Sequence, residues 1–227
     1  MDKYKTYEPQ NQWQYDEYLE KGSIQFGAWT SSSFRSDPKR ICMQFSRYKF
    51  CAKMLRGKTR VLEVGCGDAP GVPMMLQFVN SVVGVDIEKA LIEDNTLRFK
   101  KENIDRCKFL THDIIKGPVD EKFNGVYSLD VLEHIPKKYE NKFMENIVSS
   151  LTPHAVCVIG SPNITAREYA NPSAKKGHVN LKSAETLEEL LTKFFHNVFI
   201  FSMNDEIVHM GFYPMAHYLI GVGIDPK

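Results

Sequence analysis

The sequence lacks the features that mark membrane and secreted proteins. No apolar run approaches the roughly 20 residues that a membrane-spanning helix needs, and the polar, aromatic N-terminus contains no apolar signal segment. The 227 residues carry a net charge of only +1. That balance gives no support for broad binding to nucleic acid or to an anionic membrane surface. We therefore expect a cytoplasmic protein with neither a nucleic-acid nor a membrane partner.

Cysteine is scarce as well, with five residues and no Cys-x-x-Cys pair. An odd number without paired spacing argues against a disulfide framework and against a cysteine zinc site. Reduced thiols are expected instead. The hydrophobic content of 43% and charged content of 25% are typical of a globular protein that can bury a full core.

The chain divides into a short aromatic segment and a longer α/β segment. Residues 1–38 are rich in Tyr, Trp, Phe, Gln and Ser and are predicted to form an arm or lid. Residues 39–227 alternate strand and helix patterns and are predicted to form a single domain. The predicted strands cover 60–64, 81–85, 107–110, 125–129, 155–159, 198–201 and part of 209–223, and the predicted helices cover 38–56, 72–78, 89–100, 137–150 and 184–194. This alternation implies a mostly parallel sheet with helices on both faces.

A glycine-rich turn follows the first predicted strand in the stretch VLEVGCGDAPG. A dinucleotide site needs the spacing G-x-G-x-x-G, but here Gly65 and Gly67 are followed by Pro70 at the sixth position and Gly71 at the seventh. Glu63 would repel a pyrophosphate and would suit a cationic ligand. A nicotinamide-dependent dehydrogenase is therefore disfavoured.

The next two strand ends each carry a carboxylate followed by an isoleucine. Asp86 ends the second strand, where its oxygens can accept hydrogen bonds from both hydroxyls of a ribose. Asp113 follows the third strand and could meet an adenine amino group, with Ile87 and Ile114 as apolar walls. The alternative is that the glycines only make a tight turn and that Asp86 caps the following helix.

The stretches VLEVGCGDAPG, VVGVDIE, THDI and YSLDVLEHIP, in this order and spacing, resemble class I S-adenosylmethionine-dependent methyltransferases. The resemblance covers roughly residues 58–160 and implies a Rossmann-like, seven-stranded, mostly parallel sheet with an antiparallel last strand. It implies S-adenosylmethionine as cofactor, held at its methionine part by the glycine loop, at its ribose by the second strand end and at its adenine by the third. The implied cofactor-binding residues are Glu63, Gly65, Cys66, Gly67, Asp86, Ile87, Asp113, Ile114 and Leu129.

Polar residues follow the fourth predicted strand, where the reactive end of the cofactor is expected. Asp130, Glu133 and His134 are three and four residues apart and would share one face of a helical turn. His178 lies in a long loop, and such loops are often functional. We predict these four as catalytic, with His134 or His178 as general base. The structural alternative is that Glu133 and His134 only brace the next helix.

A related pattern predicts a metal at the same four residues. Ubiquinone-type O-methyltransferases and small-RNA 2′-O-methyltransferases carry E-x-x-E-H after this strand and a histidine in the following loop. The similarity implies a divalent cation such as Mg or Mn, bound by Asp130, Glu133, His134 and His178. This sequence has Asp130 where that pattern has its first glutamate, so the ligand arm is one methylene shorter.

The C-terminal third is similar to small bacterial methyltransferases associated with surface-polysaccharide gene sets. This implies O-methylation of a small sugar-like or phosphorylated acceptor in capsule or surface-polysaccharide biosynthesis. Basic residues after the arm and in the His178 loop are phosphate-binding candidates, among them Arg35, Lys39, Arg40, Arg47 and Arg167. The alternatives are a quinone or phenol O-methyltransferase, a small-molecule N-methyltransferase, and a non-catalytic cofactor-binding regulatory module. A hydrophobic acceptor predicts a pocket without Arg or Lys. His209 and His217 are expected to be structural, although their stretch could face the acceptor.

Overall fold

One mixed β-sheet forms the centre of the protein. A computed structural model describes residues 3–227. Its strands are β1 (Arg60–Val64), β2 (Ser81–Asp86), β3 (Cys107–Thr111), β4 (Phe123–Leu129), β5 (Leu151–Pro162), β6 (Phe195–Asn204), β7 (Ile207–His209) and β8 (Tyr218–Pro226). Their order across the sheet is β3-β2-β1-β4-β5-β8-β6-β7. The first five strands pair in parallel, and β8 lies antiparallel between β5 and β6.

This topology confirms the predicted Rossmann-like class and adds an eighth strand at the edge. β7 pairs antiparallel with β6 through a tight turn at Asp205, whose φ is +48°. Three residues are too few to show a strand periodicity in the sequence, which is why the prediction stopped at seven strands.

Helices cover both faces of the sheet, as predicted. They are α1 (Gln12–Lys21), α2 (Ala28–Ser36), α3 (Lys39–Met54), α4 (Val72–Met75), α5 (Lys89–Lys101), α6 (Glu140–Ser149), α7 (Pro172–Gly177) and α8 (Ala184–Thr192). One apolar cluster joins α3, α4 and α5 to one face, and a second joins α6 and α8 to the other. No helix in the range 3–227 is both long and apolar enough to cross a membrane.

The local sequence accounts for the start of α8. Ser183 and Thr186 form a capping box in which each side chain accepts the backbone N–H of the other. Leu187, Leu190 and Leu191 then follow at helical spacing and are buried against the sheet.

The N-terminal arm contains α1 and α2. None of the residues of α1 is buried, and Thr30 is the buried residue of α2. The division of the chain into an arm or lid up to residue 38 and a single domain from residue 39 stays a prediction.

Candidate active site

The predicted site residues meet at one edge of the sheet. Gly65 follows β1, Asp113 follows β3 and Asp130 follows β4, while Asp86 is the last residue of β2. Because these strands are parallel, their carboxyl ends lie side by side, at the edge where such sheets bind ligands.

The loop after β1 requires two of its glycines. Gly65 and Gly67 adopt positive φ angles of +75° and +52°. A Cβ on Gly65 would lie 2.2 Å from Cγ2 of Val131, so the loop packs directly against the segment after β4. This backbone leaves no room for a side chain at Gly65, and the N–H groups of Gly65 and Cys66 both donate to the Val85 carbonyl oxygen, which fixes the loop to the end of β2.

Asp86 holds the same loop in place. Its Oδ2 accepts a hydrogen bond from the Gly67 N–H at 2.8 Å, and its Oδ1 accepts one from the Glu88 N–H at 2.9 Å. The carboxylate therefore shapes the loop and the start of the next turn. Each oxygen keeps a second lone pair that can accept from a ribose hydroxyl.

The remaining predicted cofactor residues occupy different surroundings. Ile87 is 65% exposed, whereas Ile114 and Leu129 are buried in the core. Asp113 Oδ1 accepts the backbone N–H of Ile115 at 3.0 Å. An exposed isoleucine beside Asp86 suits an apolar wall, while the parts of Asp113, Ile114 and Leu129 in binding the cofactor stay predictions.

Glu63 is a buried carboxyl on the face of β1 that carries α3. Burial raises its pKa to about 8; the neighbouring Tyr127 hydroxyl opposes this, while Asp86 and Asp68 add to it. Its Oε2 has no hydrogen-bond partner among the described residues. Such a carboxyl is poised to ionise when a positively charged ligand arrives.

The aromatic arm is docked on the glycine loop by Asp68. The two carboxylate oxygens of Asp68 accept the N–H of Thr30 at 2.7 Å and its hydroxyl at 2.9 Å. The carboxylate thereby satisfies a free N–H in the first turn of α2. Trp29 lies over the loop, 3.2 Å from where a Cβ on Gly67 would be. The arm thus covers the predicted cofactor loop, and its action as a lid stays a prediction.

Asp130 forms an ion pair with an arginine from α3. Both of its carboxylate oxygens accept from Arg47 Nη1, at 3.0 and 2.8 Å. Asp130 has a φ of +58°, which aspartate tolerates better than most residues. The guanidinium of Arg47 also stacks on the ring of Tyr218, 3.6 Å from its centroid.

The other three predicted catalytic residues come together. Glu133, His134 and His178 each offer a ligand atom within 4.8 Å of the others. Asp130 is outside this group. The two imidazole rings are T-shaped with centroids 5.1 Å apart, and His134 Nδ1 lies 3.1 Å from the Gly177 carbonyl oxygen. Since a carbonyl only accepts, His134 carries its proton on Nδ1, which leaves the Nε2 lone pair of the neutral ring free.

Electrostatics favour the neutral forms of Glu133 and His178. Burial, followed by the charge of Asp130, raises the pKa of Glu133 well above its usual range, and its Oε2 has no hydrogen-bond partner among the described residues. Burial and the nearby His134 lower the pKa of His178.

A buried ion pair anchors the segment that carries His178. Lys182, 2% exposed, contacts Oε2 of Glu140 on α6, and Asn180 Nδ2 donates to the same oxygen at 3.1 Å. The backbone N–H groups of Val179 and Asn180 donate to the Glu133 carbonyl oxygen. These contacts set the position of His178 against His134.

A cleft of about 370 Å³ opens beside His178, between α3, the segment after β5 and the start of β8. We call it the arginine cleft, because its lining includes Arg40, Arg47 and Arg167. His217 and Tyr218 also line it. The sequence predicted these arginines among the phosphate-binding candidates but did not show that they share a cavity, since Arg167 is far along the chain from Arg40 and Arg47, which both lie on α3.

Two further contacts were not predicted from the sequence. Asp68 lies in the stretch VLEVGCGDAPG, directly after Gly67. This position is the sequence feature that indicates a role at the loop. The pairing of Arg47 with Asp130 spans 83 residues, and no local pattern indicates it.

Comparison with known proteins identifies the family. Residues 55–205 match the model of a methyltransferase domain. The chain belongs to this methyltransferase family. The family match confirms the resemblance to methyltransferases that the four sequence stretches carry.

The relatives found by sequence share one name. The chain is 28% identical over 113 residues to a ubiquinone biosynthesis O-methyltransferase of Rickettsia typhi, covering 49% of this chain and 44% of the relative. It is 24% identical over 131 residues to one of Brucella melitensis, covering 58% and 52%. The chain thus spans about half the length of these relatives.

A solved structure supports the fold of the methyltransferase. The N-methyltransferase NodS of Bradyrhizobium japonicum, in complex with S-adenosyl-L-homocysteine, has a TM-score of 0.59 and 17% identity, over 83% of this chain and 87% of NodS. For such a cofactor, the roles of Asp86 as a hydroxyl acceptor and of the unpaired carboxyl of Glu63 as a counter-charge stay predictions.

Removing the Asp86 carboxylate should weaken cofactor binding. We expect Asp86→Ala to bind S-adenosylhomocysteine at least tenfold more weakly, about 1.4 kcal/mol, because it loses the ribose acceptor and frees the Gly67 N–H. Titration calorimetry measures the affinity, and circular dichroism checks the fold. Asp86→Asn, which keeps the shape, should lose less. Unchanged affinity in Asp86→Ala would refute the ribose assignment.

Binding of S-adenosylmethionine should depend on pH through Glu63. With a pKa of about 8, this carboxyl is mostly protonated near pH 7 in the free protein, and a cationic ligand lowers that pKa. Binding then releases a proton, so the affinity should rise with pH by up to roughly tenfold per unit below pH 8 and level off above it. Calorimetry from pH 6 to 9 tests this. Glu63→Gln should show a flatter profile, and equal slopes would contradict the assignment.

Proposed function

We propose that this methyltransferase acts on oxygen, transferring a methyl group to a hydroxyl of a small acceptor bound in the arginine cleft. The observation that carries the proposal is the His134–His178 pair, with rings 5.1 Å apart. His134 follows the segment that packs on the glycine loop, and His178 lines the arginine cleft.

The chain's own residues account for the proton in this proposal. Bound S-adenosylmethionine supplies an already activated methyl group. The protein then has to align the hydroxyl and accept its proton. His134 suits that role because Nδ1–H is held by the Gly177 carbonyl oxygen, which orients the ring and leaves Nε2 as the proton acceptor. His178 packs against its edge and lines the cleft.

A divalent cation such as Mg or Mn is the alternative activator. Glu133 with its orphaned Oε2, His134 and His178 supply three ligand atoms of suitable chemistry. The Gly177 carbonyl oxygen contacts Nδ1 of His134. In metal-binding histidines, the ring nitrogen that does not bind the metal commonly donates to such a backbone carbonyl. Asp130, the fourth predicted ligand, is engaged by Arg47, whose positive charge disfavours a cation nearby.

The relatives favour a quinone-type acceptor over a capsule carbohydrate. Those found by sequence carry the name ubiquinone biosynthesis O-methyltransferase, which supports the phenol or quinone alternative and gives no support to the polysaccharide reading. A ring hydroxyl is therefore our first candidate for the methylated group. A phosphorylated or sugar-like acceptor is the second, because three arginines line the cleft.

A turnover assay tests the proposal. The protein is incubated with S-adenosylmethionine and either catechols or sugar phosphates, and both S-adenosylhomocysteine and the methylated product are measured by mass spectrometry. We expect an O-methylated product from a ring hydroxyl. Loss of turnover in chelator, restored by Mg or Mn, would favour the cation over the histidine base. Cofactor binding without turnover on any acceptor would favour the regulatory-module alternative, and methylation of an amine would favour an N-methyltransferase.

A further inference from the structure

The arginines that line the arginine cleft have few acidic side chains to neutralise their positive charges. Arg47 is paired with Asp130, but Arg167 makes no ion pair with any residue in the range 3–227. Arg40 lies 4.0 Å from Asp37 in an exposed contact that contributes little. Among the described residues that line the cleft, none is acidic. The guanidinium groups of two exposed arginines at this cleft therefore have no strong ion pair.

Three residues that line the cleft also have buried polar atoms without hydrogen-bond partners. Nε of Arg47, Nε2 of His217 and the hydroxyl of Tyr218 are each buried without a hydrogen-bond partner among the described residues. Tyr218 is only 1% exposed. Buried polar groups are normally paired, so three unpaired atoms on residues that line one cavity point to a ligand that supplies the missing partners.

The arginines of the cleft belong to different segments from the two histidines. His178 lines the cleft and packs on His134, whereas Arg40 lies on α3 and Arg167 lies in the segment after β5. A small molecule with its hydroxyl at the histidines can place a second group among the arginines.

We infer that the acceptor carries an anionic group, a carboxylate or a phosphate, which binds in the arginine cleft while its hydroxyl faces His134 and His178. Guanidinium groups match the paired oxygens of both anions through charge-assisted hydrogen bonds. The inference rests on the proposed function for the identity of the cleft as the acceptor site, and it narrows the acceptor from any small hydroxyl compound to an anionic one. The aromatic and the sugar-like candidates both remain within this class.

Matched pairs of ligands test the inference by binding, without turnover. The full chain is loaded with S-adenosylhomocysteine and titrated with 3,4-dihydroxybenzoate against 4-methylcatechol, and with glucose 1-phosphate against methyl glucoside. We expect the charged member of one pair to bind at least tenfold more tightly, and which pair responds separates a carboxylate from a phosphate. Equal affinity within both pairs would overturn the inference.

Single-charge variants locate the site. Arg167→Gln and Arg40→Gln should each weaken binding of the charged ligand about three- to tenfold and leave the neutral ligand unaffected. Arg47→Lys keeps the charge but loses the planar fork, so it should also weaken the charged ligand. Lys176→Gln is the matched control, because it removes one exposed charge from α7 outside the cleft and should change nothing. Full affinity in both arginine-to-glutamine variants would place the anion elsewhere and overturn the inference.

The binding and turnover results separate the two proposals. Tighter binding of a charged ligand, lost in the arginine variants, supports the anion site even when no product forms. Absence of O-methylated product from every bound acceptor then counts against the proposed O-methylation alone. Methylation of neutral acceptors with no preference for charged ones supports O-methylation and overturns the anion site.

Discussion

Replacing His134 by alanine should lower turnover by roughly 10²- to 10⁴-fold, the range expected for loss of a general acid–base group. The ring is fixed by the Gly177 carbonyl oxygen on Nδ1, so the variant removes a pre-oriented proton acceptor at Nε2. Affinity for S-adenosylhomocysteine should be unchanged, because Asp86 and the glycine loop are untouched. Steady-state kinetics and calorimetry on the same preparation measure both quantities.

His154 provides the matched control for this experiment. It lies near the start of β5, at the opposite edge of the sheet from the site, and its exposed ring contacts Asp225. His154→Ala should therefore retain full turnover. Turnover of His134→Ala within about threefold of the unaltered protein would remove His134 from the mechanism, both as base and as cation ligand.

Replacing Lys182 by methionine should destabilise the fold by about 3–5 kcal/mol, the usual cost of stranding one partner of a buried ion pair. Lys182 and Glu140 are 2% and 7% exposed, so the carboxylate would be left in the core with only Asn180 as a donor. Urea denaturation at pH 7 measures the change in the free energy of unfolding.

The double variant Lys182→Met/Glu140→Leu is the control for this pair. It removes both charges and should recover much of the lost stability. Lys193→Met, on the surface after α8, should have an effect within about 0.5 kcal/mol. A loss below about 1 kcal/mol in Lys182→Met would show that the pair does not hold the His178 segment.

The same pair should make stability depend on pH in acid. Burial opposes ionisation of Glu140, but hydrogen bonds from Lys182 and Asn180 outweigh it, so its pKa in the folded protein is lowered. The contribution is therefore fully present above the unfolded pKa of about 4.3 and is lost as the pH falls through the lower folded value. Denaturation curves between pH 3 and 7 should show this acid loss, and the double variant should lack it.

Much of the cofactor side could be predicted from local patterns. Apolar runs that end in glycine or aspartate gave β1, β2 and β4 to within two residues at each end, because strand burial and turn chemistry depend on neighbours in the chain. β5 and β6 are each several residues longer than predicted. Their additional residues are held by pairing, at the start of β5 with β4 and at the other ends with β8. The expected capsule acceptor depended on a loose C-terminal resemblance, and the relatives favour the quinone alternative.

The sequence by itself determined the element order, the Rossmann-like class and the carboxylates and glycines at the strand ends. The tertiary structure decided which polar groups meet: Arg47 takes Asp130 away from the predicted four-residue cluster, and Lys182 and Glu140 place His178 against His134. The same packing brings Arg167 to the cavity that Arg40 and Arg47 of α3 also line. The polar residues at the strand ends can be predicted from the sequence because they adjoin the strands in the chain. The contacts named above join segments tens of residues apart, so they exist only once the sheet and its helices have packed.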